Sequence, residues 1–155
     1  EQALLQFMES REREGEQLKA DILQKLSGMT GNIAGIEERY PQMVRDYRKK
    51  LTDKVKELLA DSNVDESRIA TEVVIYADKI CVDEETVRLR SHISNMEEEL
   101  IRGGNVGRKL DFIAQEMNRE ANTILSKAND ITVSNMAIDL KTEIEKIREQ
   151  VQNIE

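Results

Sequence analysis

The chain has 155 residues, of which 39% are apolar, 35% charged and only 3% aromatic, with no Trp. That is too little apolar surface for a compact sphere and points to long, thinly packed helices, while one Pro and seven Gly leave too few turns for a β-sandwich or barrel. The net charge of −8 argues against attraction of the whole molecule to nucleic acid, and a mean hydropathy of −0.59 without a run near the roughly 20 apolar residues that span a bilayer argues against a membrane span. The single Cys81 rules out an internal disulfide, so a soluble chain of a reducing compartment, the cytoplasm, is expected.

In chain order, Leu4 and Met8, then Leu18, Ile22, Leu26 and Met29 recur at helical spacing. Glycines at 28, 31 and 35 weaken this helix, and Pro41 is placed as the first-turn proline of a second helix running to about Asp61. Residues 45 to 56 hold six Lys or Arg against two Asp, and residues 128 to 155 hold three basic against six acidic residues. The basic run reads as a solvated helix face or as a local basic surface. A third helix is expected from about Asp65 through Lys79, and a fourth capped by Asp83, with Leu89, Ile93, Met96 and Leu100 as its apolar stripe. RGGNVG breaks the chain before a fifth helix over 107 to 127. A last helix from about Thr132 carries Val133, Met136, Leu140, Ile144, Ile147, Val151 and Ile154 in steps of three and four. Such a seam needs a partner helix, from the same chain or another subunit. The expected fold is therefore all-α: an elongated bundle of helical hairpins with about five to six helices and a coiled-coil-like C-terminal helix, divided into a long helical arm (1–61) and a helical domain (62–155).

The chemistry concentrates between Glu85 and Asp130. At about 100° per residue, the fifth helix separates a buried stripe (Leu110, Ile113, Met117, Ala121, Ile124) from two polar arcs. One holds Arg108, Asp111, Gln115, Arg119, Asn122 and Ser126; the other holds Lys109, Glu116, Glu120, Thr123 and Lys127. Mid-helix Asn118, Asn122 and Ser126 are poor helix formers, and they point either to a polar pocket for ribose, phosphate or metal or to hydrogen bonds between helices. Glu116 and Glu120, one turn apart, suit a shared divalent ion or salt bridges to Lys109 and Lys127. In the fourth helix EETVRLRSH brings Glu85, Arg88 and the only histidine, His92, to one margin. They form either a structural cluster or the carboxylate, guanidinium and imidazole that phosphodiester chemistry needs.

GRKLDFIAQEMNREANTILSKAND with the terminal KIREQVQNIE, the EExxRLxSH phrase at Glu84 to His92 and SREREG at Ser10 to Gly15 closely resemble the C-terminal region of YicC-like (YloC-like) proteins. The resemblance runs along essentially the whole chain and lacks the family's N-terminal domain. It implies a stress-induced, metal-dependent endoribonuclease that cuts RNA as a cytoplasmic homo-oligomer of hexameric order. Combined with the residues above, it makes His92, Glu85 and Glu120 the catalytic candidates and Asp111, Glu116 and Glu120 the ligands of Mn²⁺ or Mg²⁺. Arg88, Arg108, Lys109, Arg119, Asn122 and Lys127 become the RNA contacts. Carboxylates on both arcs of the fifth helix cannot all meet one ion within a single chain. A non-catalytic RNA-binding adaptor and an oligomerisation module of a larger RNA-processing protein are the alternatives.

Overall fold

The structure, a computed structural model, describes residues 2–60 and 63–153, with side chains from residue 6 onward. The side chain of Leu4 in the first apolar stripe, the turn formers Asp61 and Ser62, and Ile154 of the last seam lie outside this description. Five helices make up the described residues: α1 (Gln2–Leu59), α2 (Glu66–Ile80), α3 (Asp83–Arg102), α4 (Gly107–Lys127) and α5 (Ile131–Gln152).

The two helices expected on either side of Pro41 are one helix of 58 residues. Ile36 and Met43, on the two sides of Pro41, are both buried, so one core holds the chain helical through the proline. Tyr40 donates from its hydroxyl to the Ala77 carbonyl (2.7 Å), and the Arg39 guanidinium bonds Asp130 (2.7 Å). Pro41 itself is exposed, and so is Glu37, whose carbonyl loses its helical donor to the proline.

α1 and α5 pack antiparallel along two heptad stripes. Ile22, Leu26, Met29, Ile33, Ile36 and Met43 face Val133, Ala137, Leu140, Ile144, Ile147 and Val151, all buried. Asp21 pairs with Gln150 at one end and Arg39 with Asp130 at the other, which fixes the register. The partner of the C-terminal seam is thus α1 of the same chain. α4 packs on α5 and α3, and α3 returns to α1, closing a four-helix ring, while α2 packs against α1. Before Leu18, the described side chains of α1 are exposed.

Local sequence sets the ends of the helices. Asp65 and Asp130 cap α2 and α5, each accepting two backbone N–H bonds. Asp83, expected as a cap, is instead the first residue of α3; with Glu84 and Glu85 it complements the helix dipole, and Val82 occupies the cap position. α3 ends in Gly103 and Gly104 at φ +68° and +86°, a conformation that glycine adopts without a Cβ penalty and that turns the chain into α4.

Of the α1 glycines, Gly35 is the one in close contact: a Cβ there would lie 2.9 Å from Met136 Cε and 3.0 Å from its Sδ, whereas nothing lies within 4 Å of a Cβ at Gly28 or Gly31. In urea denaturation, Gly28→Ala and Gly31→Ala are each expected to raise stability by about 0.5–1 kcal/mol, and Gly35→Ala to fall short of both because Met136 must shift. Asp130 supplies a second test. Its bond to Arg39 holds its carboxyl below the ordinary value of 3.8, so its contribution is complete above that pH and is lost as pH falls through the folded value. Asp130→Ala, which loses both the cap and the ion pair, should cost about 1–3 kcal/mol at neutral pH and flatten the acid limb of a stability–pH curve; Asp130→Asn should retain the share due to the cap.

Candidate functional site

α3 and α4 form an antiparallel hairpin whose contact is polar along one edge. Glu85, only 4% exposed, accepts from Lys127 Nζ at 2.9 Å, and the same ammonium bonds the Cys81 carbonyl at 3.1 Å. Arg88, one turn along α3, reaches across to Glu120 (Nε to Oε1, 3.0 Å) and also bonds Glu84 (3.3 Å) and lies 3.7 Å from Glu85. At the other end Glu99, 3% exposed, takes Lys109 Nζ at 2.7 Å and Arg102 at 2.6 Å on one oxygen. Each end thus has the same construction: a buried glutamate on α3, an Arg three residues later, and a Lys from α4. Burying a carboxylate costs several kcal/mol unless it is paired, and these pairs supply the compensation. Lys109 and Arg102 hold Glu99 below the ordinary carboxylate value, and Glu120 raises the Arg88 guanidinium above its own.

Three of the expected site residues, Glu85, Arg88 and Glu120, are joined in this strip through Arg88, and Lys127 is tied to Glu85. Lys109 and Glu116 lie on the same edge; Glu116 is bonded by Arg119 of its own helix at 3.1 Å. His92 is half-buried on α3, between the Arg88–Glu120 and Glu99–Lys109 pairs, a register that puts it level with Glu116. It forms no hydrogen bond or ion pair among the described residues. The second polar arc of α4 turns away: Arg108, Gln115, Arg119, Asn122 and Ser126 are exposed, and Asp111 faces α5, where Arg148 bonds it at 3.0 Å.

This geometry bears on the expected metal. Asp111 is drawn toward α5 while Glu116 and Glu120 sit with α3 and each carry an arginine, so the three do not converge. No group of three or more His, Cys, Asp or Glu placed to hold an ion exists among the described residues. One chain's carboxylates do not fit a divalent ion as they stand, because arginine and lysine already occupy the lone pairs a cation would need. One oxygen in the strip, Glu85 Oε2, is buried without a partner. Asn118 Oδ1 is likewise buried and unbonded, so its place in α4 is not explained by hydrogen bonds between helices.

Sequence reasoning missed Glu99 and Arg102. Glu99 is the last of three consecutive glutamates and reads as solvated; the signal that finds it is its spacing of 14 residues from Glu85, two heptads along the same face, with Arg102 repeating Arg88. In the basic run, Arg45, Arg48, Lys49 and Lys56 are exposed and carry no ion pair among the described residues. On α1 they share an arc that faces away from the core and holds no carboxylate from 45 to 56.

Comparison with known proteins gives this architecture relatives. The family described as "Endoribonuclease YicC-like, C-terminal" matches residues 36–155. A Clostridioides difficile protein named probable endoribonuclease YicC is 47% identical over 156 residues, which cover 100% of this chain and 53% of that protein. A Haemophilus influenzae protein of the same name is 38% identical over 152 residues, covering 98% of this chain and 52% of that protein. The chain spans about half the length of these curated relatives. With the family pattern running through α1 from Ile36 to the end of α5, the chain belongs to the YicC-like family and carries its C-terminal region.

Proposed function

We propose that the chain is the C-terminal part of an endoribonuclease that hydrolyses RNA phosphodiester bonds, with the α3–α4 strip facing the scissile phosphate. The observation that carries this reading is the likeness, along essentially the whole of this chain and about half of theirs, to two proteins named probable endoribonuclease YicC. The strip's chemistry supports it. Arg88 and Lys109 are about half exposed and Lys127 about a third, so their charged ends are held in place by glutamates yet open to a phosphate. His92, partly exposed and without a partner, is the group free to move a proton. Glu85 and Glu120 act through their partners: Glu85 positions Lys127 and Glu120 positions Arg88. Arg108, Arg119 and Asn122 on the outer arc extend the RNA contact. Dependence on Mn²⁺ or Mg²⁺ is a separate claim, since the carboxylates of one chain do not assemble a site for the ion.

The test is to incubate the full-length gene product with an end-labelled structured RNA, with and without EDTA. The His92→Ala, Arg88→Ala and Glu120→Gln variants run beside it, with circular dichroism and gel filtration as controls on fold and size. Cleavage should fall by roughly 10²-fold or more in His92→Ala. It should also fall in Arg88→Ala, and to a smaller extent in Glu120→Gln, whose loss leaves the guanidinium in place but unanchored. Activity that EDTA abolishes and Mn²⁺ or Mg²⁺ restores would establish the metal claim. RNA bound with a steep salt dependence but left intact would make the chain an adaptor and end the nuclease reading.

A further inference from the structure

We propose that Phe112 is a base-stacking platform: one unpaired base of the RNA lies on its ring while Arg108, Lys109 and Arg119 meet the adjoining phosphates. The inference rests on the RNA reading above and assigns a role to a residue outside the ion-paired strip. Phe112 is one of only two phenylalanines in the chain, yet it is 61% exposed. The apolar stripe of α4, Leu110, Ile113, Met117, Ala121 and Ile124, is complete without it. On the wheel Phe112 stands between the two polar arcs.

The neighbours of the ring decide what it would meet. On a helix the residues three and four away share its surface, and for Phe112 these are Arg108, Lys109, Gln115 and Glu116, with Arg119 one turn further. Arg108 is exposed and carries no ion pair among the described residues, and the Glu116 carboxylate is taken up by Arg119. Lys109 shares Glu99 with Arg102, which brings a further, 65% exposed guanidinium to this end of the hairpin. An exposed apolar ring bordered by arginines and lysines fits a ligand that is flat in one part and anionic in the next, which is a splayed nucleotide. A second copy of the chain fits less well, because a two-fold contact centred here would crowd Arg102, Arg108, Lys109 and Arg119 of both chains into one interface with only Glu99 and Glu116 of each to offset them.

Position adds a function to the contact. Phe112 lies one turn from Glu116, toward the Gly103–Gly104 turn, and Glu116 is at the level of His92. A base held on Phe112 would fix the neighbouring phosphodiester along the strip, so the ring would help to select where the RNA is cut and favour unpaired over duplex RNA.

The chain has no Trp, so Phe112→Trp installs a single reporter at an exposed position. Binding of a single-stranded RNA oligonucleotide is measured by anisotropy for the unchanged chain and for Phe112→Ala, Phe112→Trp and Phe7→Ala. Phe7 is a control ring of similar exposure (59%), covered by Arg11 and far along α1. Phe112→Ala should weaken binding roughly 10-fold, Phe112→Trp should bind like the unchanged chain with its fluorescence quenched by RNA, and Phe7→Ala should change nothing. If the unchanged chain binds RNA but Phe112→Ala binds equally well and the indole emission of the Phe112→Trp chain stays constant, the platform is refuted and the RNA reading stands. If the unchanged chain does not bind RNA, the platform falls, and the RNA reading rests on the cleavage test with the full-length gene product. A Phe112→Ala chain with altered sedimentation and unaltered RNA affinity would show the ring to be a protein contact and overturn the proposal.

Discussion

The antiparallel seam between α1 and α5 is the constraint on which the other helices depend. An isolated helix of 58 residues with a mid-chain proline and four glycines has no claim to be continuous in water; its stability has to come from packing of one face. That face lies against α5 from about Leu18 and continues past Met43 against α2, where Tyr47 stacks on Tyr76. Because Ile36 and Met43 are buried on the two sides of Pro41, unwinding there would expose the core on one side or the other. The cost of that exposure exceeds the roughly 3 kcal/mol that an interior proline imposes. Once α5 is fixed, α4 has a surface to cover, α3 follows from the tight turn at Gly103 and Gly104, and the ring closes back on α1 at the Glu37–Arg90 pair (2.8 Å).

Where α1 and α5 meet through hydrocarbon, α3 and α4 meet through hydrocarbon on one side and ion pairs on the other. Such pairs add little net stability, since the desolvation of two charges roughly cancels their attraction. Their effect is on register. Sliding α4 by one turn would take Lys127 from Glu85 and Lys109 from Glu99 at once, leaving each buried carboxylate with only the Arg of its own helix, a penalty added to that of repacking the apolar stripe of Leu, Ile, Met and Ala. The hairpin is therefore pinned at both ends, and the cations between the pins are held at defined places along its edge.

The readable parts of the sequence are those in which a periodic signal and a buried face coincide. The α5 heptads, the stripe and extent of α4 and the two polar arcs of α4 all follow from spacing, because each is a single helix read against its own period. The continuity of α1 does not, since proline and glycine are local signals while the partner that overrides them lies at the other end of the chain; the steps from Ile22 to Met43 carry the information, but only for a reader who already has α5. The site is split in the same way. The arc of Lys109, Glu116, Glu120 and Lys127 is visible on a wheel, whereas its partition into ion pairs with α3 is a property of two helices, which is why Glu99 is hidden within a run of glutamates and why Asp111 goes to α5 instead of joining Glu116.

The cations of the molecule fall into two electrostatic kinds. Those of the strip, Arg88, Lys109 and Lys127, are neutralised by buried or nearly buried glutamates, so they contribute little field at a distance and a phosphate reaches them only by sharing or displacing a carboxylate. Those of the α1 stripe, Arg45, Arg48, Lys49 and Lys56, and Arg108 on α4 have no such partner among the described residues and project an unscreened field over about a Debye length, roughly 8–10 Å. In a chain of net charge −8, a polyanion is repelled by most of the surface and admitted only where the second kind is concentrated. Long-range attraction and short-range recognition of such a polyanion would thus fall to different residues. For the RNA proposed above, the exposed, unpaired cations would set the approach and its salt dependence, and the paired ones, fixed by Glu85, Glu99 and Glu120, would set the geometry at the strip.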